Sequence, residues 1–335
     1  FMKKATLIYN PRAGQLNTTA KVEAAAAFWR TQGWQVTMQP TMAPGHARGL
    51  AEQAAESGAA VVLAAGGDGT LGQVADGLAG SETILAPLPI GTANALAREL
   101  RLPRPQLLDP NAPVLASEVL LDGRVQRVDL SYVQNRSSAS HALLWTGIGA
   151  DGYLVQQLEP RPAWSKRLGP VGYSIQALTV LHRLPAMRAA VQVDNQTIEG
   201  DWLLMVISNC RLYAGGFLQL SSDALFDDGY FEVWLFRAGE FSTRLVTPRV
   251  GLMARYLTGV GLNLQNWDPG VISLVGRRVV VETQPSMPYQ TDGDWAGYTP
   301  LTCEIRPGAL RLLVPKDAPR SLFVKPGRPL RELFP

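Results

Sequence analysis

The sequence predicts two domains: an open, mainly parallel α/β sheet followed by a mainly antiparallel β domain. Three observations carry this. Over roughly the first 110 residues, apolar strand-like runs alternate with helix-like runs, as in a parallel sheet with crossover helices. From about Val125 the pattern changes to short β-rich runs separated by turn residues. The chain has 335 residues, 46% of them hydrophobic, about twice the length of one typical domain.

Leu7-Ile8-Tyr9 reads as a buried strand ending at Asn10-Pro11-Arg12-Ala13-Gly14, and Thr19 to Gln32 as a helix stopped by Gly33. Trp34 to Met38 is the second strand and Pro44 to Ser57 the second helix. Ala60 to Ala64 is the third strand, running into Ala65-Gly66-Gly67-Asp68-Gly69-Thr70. Leu71, Val74 and Leu78 follow at helical spacing, so a helix starts at those glycines. Ile84 to Ile90, then Gly91 to Leu100, repeats the alternation. The β-rich runs are Val125 to Val133, Ala142 to Gly147, Met187 to Val193, Trp202 to Ser208, Phe231 to Phe236, Ile272 to Glu282, Leu301 to Ile305 and Leu310 to Val314. Helices are expected at Val171 to His182 and at Glu240 to Tyr256, the latter bent by Pro248. Residues 316–335 carry four prolines and few apolar residues in register, so they read as an irregular tail.

Composition excludes several classes. A formal charge of +3, from 31 Lys+Arg against 28 Asp+Glu, is too balanced for a dedicated nucleic-acid binder. Cys210 and Cys303 lie too far apart in sequence for a disulfide framework and read as buried free thiols. The longest uncharged stretches, Thr83 to Ala97 and Leu168 to His182, are shorter than the 18 or so apolar residues of a spanning helix. With no signal-like segment at its start, the chain is expected in a reducing cytoplasm, Phe1 before Met2 reading as an addition to the natural start.

A glycine-rich turn between strand and helix is a candidate phosphate cradle, because it lets an anion approach the backbone and leaves helix N-terminal N–H groups free to donate. Gly66, Gly67 and Gly69 fit, and with Gly72 they give G-x-G-x-x-G. The same expression recurs at Gly147, Gly149 and Gly152, so it is weak alone. The next strand ends Pro89-Ile90-Gly91-Thr92 without the acid a dinucleotide site needs, and no Gly-Lys-Ser/Thr of a P-loop occurs. A carboxylate beside a phosphate cradle is unfavourable unless it meets a metal ion or a substrate proton, so Asp68 suggests phosphoryl transfer rather than a turn residue alone.

These residues resemble a known family. Asn10-Pro11-Arg12-Ala13-Gly14, Gly66-Gly67-Asp68-Gly69-Thr70 and Pro89-Ile90-Gly91-Thr92-Ala93-Asn94 look like the three nucleotide-site motifs of the diacylglycerol kinase, sphingosine kinase and bacterial lipid kinase family. GGDGT alone is shared with NAD kinases and phosphofructokinases. The resemblance continues in family order through Thr41 with Pro44-Gly45-His46-Ala47, Val128-Asp129-Leu130, Lys166 with Leu168-Gly169 and Tyr173, and Asn209 with Gly215-Gly216. It then takes in Asp223-Ala224-Leu225 with Asp228-Gly229, Asp292-Gly293-Asp294, and Ile305-Arg306-Pro307 with Ala309-Leu310-Arg311.

The resemblance implies an α/β ATP-binding domain of the NAD kinase and phosphofructokinase kind over 2–128, completed by about 309–325, and a β-sandwich lipid-substrate domain over 129–308. It implies ATP contacts from Asn10, Thr41, Gly66, Gly67, Asp68, Gly69, Thr70, Leu71, Gly72 and Thr92. Mg²⁺, or Ca²⁺ at a structural site, would be held by Asp228 and the carbonyls of Leu225 and Tyr230. Asp294 would be the general base, and Asp68 would aid a metal. The expected partner is a lipid substrate at a membrane surface, met by transient peripheral association; a homodimer is left open.

Three departures bear on this. Ala95 stands where many bacterial relatives have Asp, as in sphingosine kinases; Asp294 stands for the family Glu; and Leu144 stands where an Asn usually opens a strand. The expected function is ATP-dependent phosphorylation of a lipid hydroxyl, diacylglycerol first, with phosphatidylglycerol or a sphingoid base as alternatives. A soluble-substrate kinase of the NAD type and an inactive binding module are the other readings. His46 is expected to cap a helix or be solvated, His141 and His182 to be structural, and Trp295, beside Asp294, to line the site. Asp129 and Asp151 divide evenly between turn residues and a role near the metal or cleft. Arg244 and Arg255 share a helix face, either solvated or set to meet anionic lipid headgroups.

Overall fold

A computed structural model describes residues 3–13, 18–91, 93–104, 111–158, 180, 184–185, 187–238 and 247–334. In chain order the first elements are β1 (Lys3–Tyr9), α1 (Thr18–Thr31), β2 (Trp34–Pro40), α2 (His46–Glu56), β3 (Val61–Gly66), α3 (Asp68–Leu78), β4 (Ile84–Pro89), α4 (Ala95–Glu99) and α5 (Ala112–Leu121). Strands β2, β1, β3 and β4 lie side by side and all parallel. Every residue of β3 and β4 is buried, which is why both read as unbroken apolar runs.

The rest comprises β5 (Arg124–Asn135), β6 (Ala139–Ala142), β7 (Trp145–Gly149), α6 (Ala150–Leu158), β8 (Met187–Val193), β9 (Gln196–Ser208), β10 (Leu212–Tyr213), β11 (Leu218–Gln219) and β12 (Phe231–Arg237). Then come α7 (Thr247–Gly261), β13 (Val271–Gly276), β14 (Arg278–Gln284), β15 (Pro288–Thr291), β16 (Asp294–Tyr298), β17 (Leu301–Val314), β18 (Arg328–Pro329) and α8 (Leu330–Leu333). Antiparallel pairing links β14, β8, β9, β7, β15 and β16, with β12 and β13 branching from β9. The two-part α/β and antiparallel β architecture is the one the sequence predicts.

One strand joins the parts. The two runs ending the domain are a single strand, β17, irregular between Arg306 and Leu310. Its first half pairs with β14 and its last turns parallel to β4, while β5 runs antiparallel along its length. Asp129 clamps this crossing: its carboxylate accepts the N–H groups of Gly229 and Gly308, both at 2.7 Å.

Several expectations change. The fourth helix starts at Ala95, not Gly91, because Asn94 takes a left-handed conformation with φ 58°. The Ile272 to Glu282 run breaks at Arg277, whose N–H donates to Asp194 at 3.0 Å. The segment after Val314 is tied down rather than irregular. Arg328 and Pro329 pair with β5, Leu322 and Leu330 are buried, and the Asp227 carboxylate accepts the N–H groups of Val324 and Lys325 at 2.6 and 2.9 Å. The helix expected at Glu240 is described from Thr247, with Pro248 at its second residue, and Val171 to His182 lies outside the described residues apart from Val180. Both cysteines are free and buried.

Candidate functional site

In an open parallel sheet, ligands bind outside the carboxyl ends of the strands, where the strand order switches direction. Here β1 is followed by β2 on one side and β3 on the other, so the switch falls between β1 and β3. The residues expected at a nucleotide gather at that edge. Asn10 ends β1, its N–H on Ala65 at 3.2 Å and its Oδ1 accepting from Arg12 N–H at 2.9 Å. Thr41 follows β2, with its N–H on the Tyr9 carbonyl at 2.8 Å. Thr92 and Gly14 lie outside the described residues, as do Lys166, Leu168, Gly169 and Tyr173.

Gly66 and Gly67 make the turn from β3 into α3. Gly67 sits at φ −94°, ψ −172°, ordinary extended backbone, so left-handed strain plays no part in its choice. Space does: a Cβ on Gly91 would come within 2.7 Å of the Gly67 Cα, so the ends of β3 and β4 touch through glycine alone. Asn94 donates to the Gly91 carbonyl at 2.6 Å, while its buried Oδ1 has no hydrogen-bond partner among the described residues. An orphaned acceptor beside a bare glycine edge and the free first-turn N–H groups of α3 fits a phosphate-bearing nucleotide. Replacing Gly67 with Val should therefore leave the fold intact, since its Cβ would meet only the Gly91 Cα at 3.7 Å, yet fill the space at the edge. The expected loss of ATP affinity is at least tenfold, about 1.4 kcal/mol, by calorimetry. Unchanged binding would remove this turn from the site.

Asp68, expected to aid a metal, has another partner. Its carboxylate accepts the N–H groups of Ala95 at 3.0 Å and Leu96 at 3.4 Å, tethering α4 to the glycine turn. Burial pushes its pKa up, against those two bonds. Ala95 is fully buried, and a Cβ on Gly216 would lie 3.0 Å from its Cα, which leaves little room for the Asp of many relatives. Glu99, raised to about 7 by burial, accepts from Arg211 N–H at 2.7 Å and Leu212 N–H at 3.2 Å, joining α4 to the β domain.

The later glycines of the motif meet protein. A Cβ on Gly69 would lie 2.7 Å from an Asp294 oxygen, and one on Gly72 would lie 2.5 Å from an Asp292 oxygen. Asp292-Gly293 is the two-residue turn joining β15 to β16, with φ 51° and 93°, the positive pair that a tight hairpin turn demands. Asp292 is buried and accepts the N–H groups of Leu143, Leu144 and Trp145 at 2.7, 2.8 and 3.1 Å. Burial still raises it to about 7, with Asp68 adding repulsion. Gln290 braces the turn, accepting from Gly293 N–H at 2.7 Å and donating to the half-buried Asp151 at 2.8 Å. Asp294 is exposed, and Gln73 of α3 donates to it at 2.6 Å. Trp295, on the opposite face of β16, is 49% exposed and lies edge-on to Tyr298 at 5.8 Å, lining a cleft with Asn135, Ser138 and Thr299. The structure therefore brings Asp68, Gly69, Gly72, Asp292 and Asp294 together. Gln73, Gln290 and Glu99 were not anticipated. Asp292-Gly293 was the one available signal, a hairpin dipeptide flanked by strand residues.

The expected metal residues, Leu225, Asp228 and Tyr230, lie in the segment leading into β12. Asp228 lies in the turn before β12, accepting Tyr230 N–H at 3.0 Å, and burial and Asp227 raise its pKa. Glu232 is raised to about 7 by burial and by Asp223 and Asp228. Among the described residues, no Lys or Arg salt-bridges Asp129, Asp227, Asp228 or Glu232. No group of three or more His, Cys, Asp or Glu side chains there converges on a ready-made metal centre. A carboxylate among further acidic side chains with no described Lys or Arg partner offers the oxygen ligands that a hard cation takes. His46 accepts the Met42 N–H at 3.1 Å beside the start of α2, a capping role. His141 hydrogen-bonds to Asp76 Oδ1 through its Nδ1 at 2.9 Å and its backbone N–H at 2.7 Å, and His182 lies outside the described residues.

A bare glycine edge at the ends of the parallel strands thus meets a carboxylate-bearing hairpin from the antiparallel part of the chain. Residues 4–133 match the diacylglycerol kinase catalytic domain, and residues 148–314 match the YegS C-terminal NAD kinase beta sandwich-like domain. The chain belongs to the diacylglycerol kinase and bacterial lipid kinase family and is a kinase acting on an alcohol group. It is 27% identical over 320 residues to a diacylglycerol kinase of Staphylococcus epidermidis, covering 94% of this chain and 93% of that one. A Bacillus subtilis diacylglycerol kinase is 26% identical over 302 residues, at 89% and 92% coverage. The fold is shared with a diacylglycerol kinase structure from Bacillus anthracis, at a TM-score of 0.66 and 22% identity over 95% of this chain and 98% of that one. No helix among the described residues is long and apolar enough to cross a membrane.

Proposed function

We propose that the chain transfers the γ-phosphate of ATP to a lipid hydroxyl, diacylglycerol being the first substrate to test. The observation that carries this reading is the seating of Asp294 on the first turn of α3, which puts a proton acceptor against the anion cradle. The first-turn N–H groups of α3 and the glycine edge hold the phosphates, and Asn94 Oδ1 offers an acceptor to the nucleotide. Asp294 takes the proton of the lipid hydroxyl as its oxygen bonds to the γ-phosphorus and the bond to the ADP oxygen breaks. Asp68 positions α4 against the cradle rather than touching substrate. A divalent ion, held by Asp228 and the carbonyls of Leu225 and Tyr230, would supply charge neutralisation and join the turn to the sandwich.

The test is incubation with labelled ATP and a panel of diacylglycerol, phosphatidylglycerol and sphingosine in mixed micelles, with NAD as soluble control. Label in diacylglycerol is expected. Label in NADP alone would overturn the lipid assignment, and label in nothing would leave an inactive binding module. For the ion, Asp228→Ala should lower Tm and abolish the rise in Tm that Mg²⁺ gives the wild type. A variant that keeps the full Mg²⁺ response places the ion elsewhere.

A further inference from the structure

We propose that the C-terminal end of α7 and the 3-10 turn after it form a bilayer anchor that seats the protein on an anionic membrane surface. The inference rests on the lipid-kinase reading and says which surface brings the enzyme to its substrate.

The inner face of this segment is fixed to the protein. Met253, Tyr256 and Val260 are buried, Tyr256 donates its hydroxyl proton to the Arg237 carbonyl at 2.8 Å, and its ring lies edge-on to Phe236 at 5.2 Å. Gln265 is buried and donates to the Leu220 carbonyl at 2.9 Å, and Arg255 pairs with Asp268 at 2.5 Å. The outer face is apolar and open. Leu257, Leu262, Leu264 and Trp267 are 38, 63, 50 and 84% exposed, four large apolar side chains within eleven residues, and Trp267 is the most exposed large apolar residue described. Leu264 and Trp267 are held outward by the burial of Gln265 between them. An indole beside leucines on a fixed turn suits the headgroup boundary of a bilayer, where the ring meets both apolar and polar surroundings.

Charge points to the same occupant. Between Glu240 and Asp268 the sequence has Arg244, Arg249 and Arg255 and no acidic residue, so that with Arg255 paired to Asp268 the stretch still carries two further cations, in a chain otherwise near balance. That complements anionic headgroups. The tip is also continuous with the candidate site. Gln265 bonds to the Gln219 and Leu220 carbonyls, at the end of the β10–β11 hairpin, and the hairpin's Gly215 and Gly216 pack on Ala93, Ala95 and Arg98 beside the nucleotide edge. Phe217, at the turn of that hairpin, is 49% exposed beneath the Arg98 guanidinium, 4.3 Å from its ring centre.

The experiment is co-sedimentation with phosphatidylcholine vesicles, with and without phosphatidylglycerol, free of diacylglycerol and ATP. Wild type should bind the anionic vesicles, and the Leu264→Ser/Trp267→Ser double variant should bind them at least tenfold less. The variant should keep wild-type Tm and turnover on a short-chain, water-soluble diacylglycerol. In parallel, brominated lipid should quench wild-type tryptophan fluorescence, and Trp267→Phe should remove most of that quenching. Equal vesicle binding by wild type and double variant, with no quenching, would overturn the proposal. So would a wild-type dimer in sedimentation equilibrium that the double variant loses, which would make the tip a contact between copies. A protein that binds these vesicles yet phosphorylates no lipid keeps the anchor and loses the kinase reading.

Discussion

Asp294→Asn is expected to lower kcat by about 10² to 10⁴, with little change in KM for ATP. The substitution preserves shape and leaves an oxygen to accept from Gln73, whose Nε2 lies 2.6 Å from the Asp294 carboxylate. What it removes is the capacity to take a proton. A loss confined to kcat is thus the signature of a base and not of a misplaced hairpin. Asp294→Glu should also lose activity, because the carboxylate already lies against Gly69, where a Cβ would meet it at 2.7 Å, and another methylene drives it into α3 or toward the substrate hydroxyl. The shorter acid thus goes with a hairpin seated directly on the helix, so that Asp in place of the family Glu suits this backbone. Steady-state kinetics in mixed micelles checks both variants. Wild-type kcat in Asp294→Asn would send the base role to another group, and Asp68 would be a poor heir, since its two oxygens are bonded to Ala95 and Leu96.

How far the sequence reveals this depends on the range of the interactions concerned. The parallel strands were legible because burial on both faces writes an apolar run into each, as in Val61 to Ala65 and Ile84 to Leu88. The helix start at Gly67 was legible because glycine, helical spacing and the strand before it are all local. The length of β17 was not: Arg306 to Leu310 looks like a break, and only pairing with β5, far away in sequence, carries the strand through it. The ordering of residues 316–335 was hidden for the same reason, since Asp227 and β5 supply the bonds that hold them. At the site, Asp68 and Asp294 were found by type, but their surroundings were not. That Asp68 faces α4 follows from Asn94 turning left-handed, and that Gly69 and Gly72 receive carboxylates follows from the docking of one domain on the other.

Gly69→Ala and Gly72→Ala are expected to part company, one failing in catalysis and the other in stability. Each adds the same methyl group to α3, where Ala in place of Gly favours the helix by about 1 kcal/mol. At position 69 the methyl meets the end of the exposed Asp294 side chain, which can swing aside at little cost to the fold. Tm should hold or rise slightly, while displacement of the carboxylate by about 1 Å costs kcat on the order of 10². At position 72 the methyl would lie 2.5 Å from Asp292 Oδ2 and 2.8 Å from its Cβ. Asp292 cannot yield, because three backbone N–H groups hold its carboxylate and its positive φ holds the turn. Crowding of about 1 to 3 kcal/mol and weakened buried bonds of about 1 to 3 kcal/mol outweigh the helical gain, for a net loss of roughly 1 to 5 kcal/mol. Thermal and urea melts measure the second effect, and kinetics at saturating ATP the first. If Gly72→Ala melts with wild type, the hairpin is not anchored through Asp292. If Gly69→Ala instead weakens ATP binding and spares kcat, Gly69 serves the phosphates and the seat of Asp294 lies elsewhere.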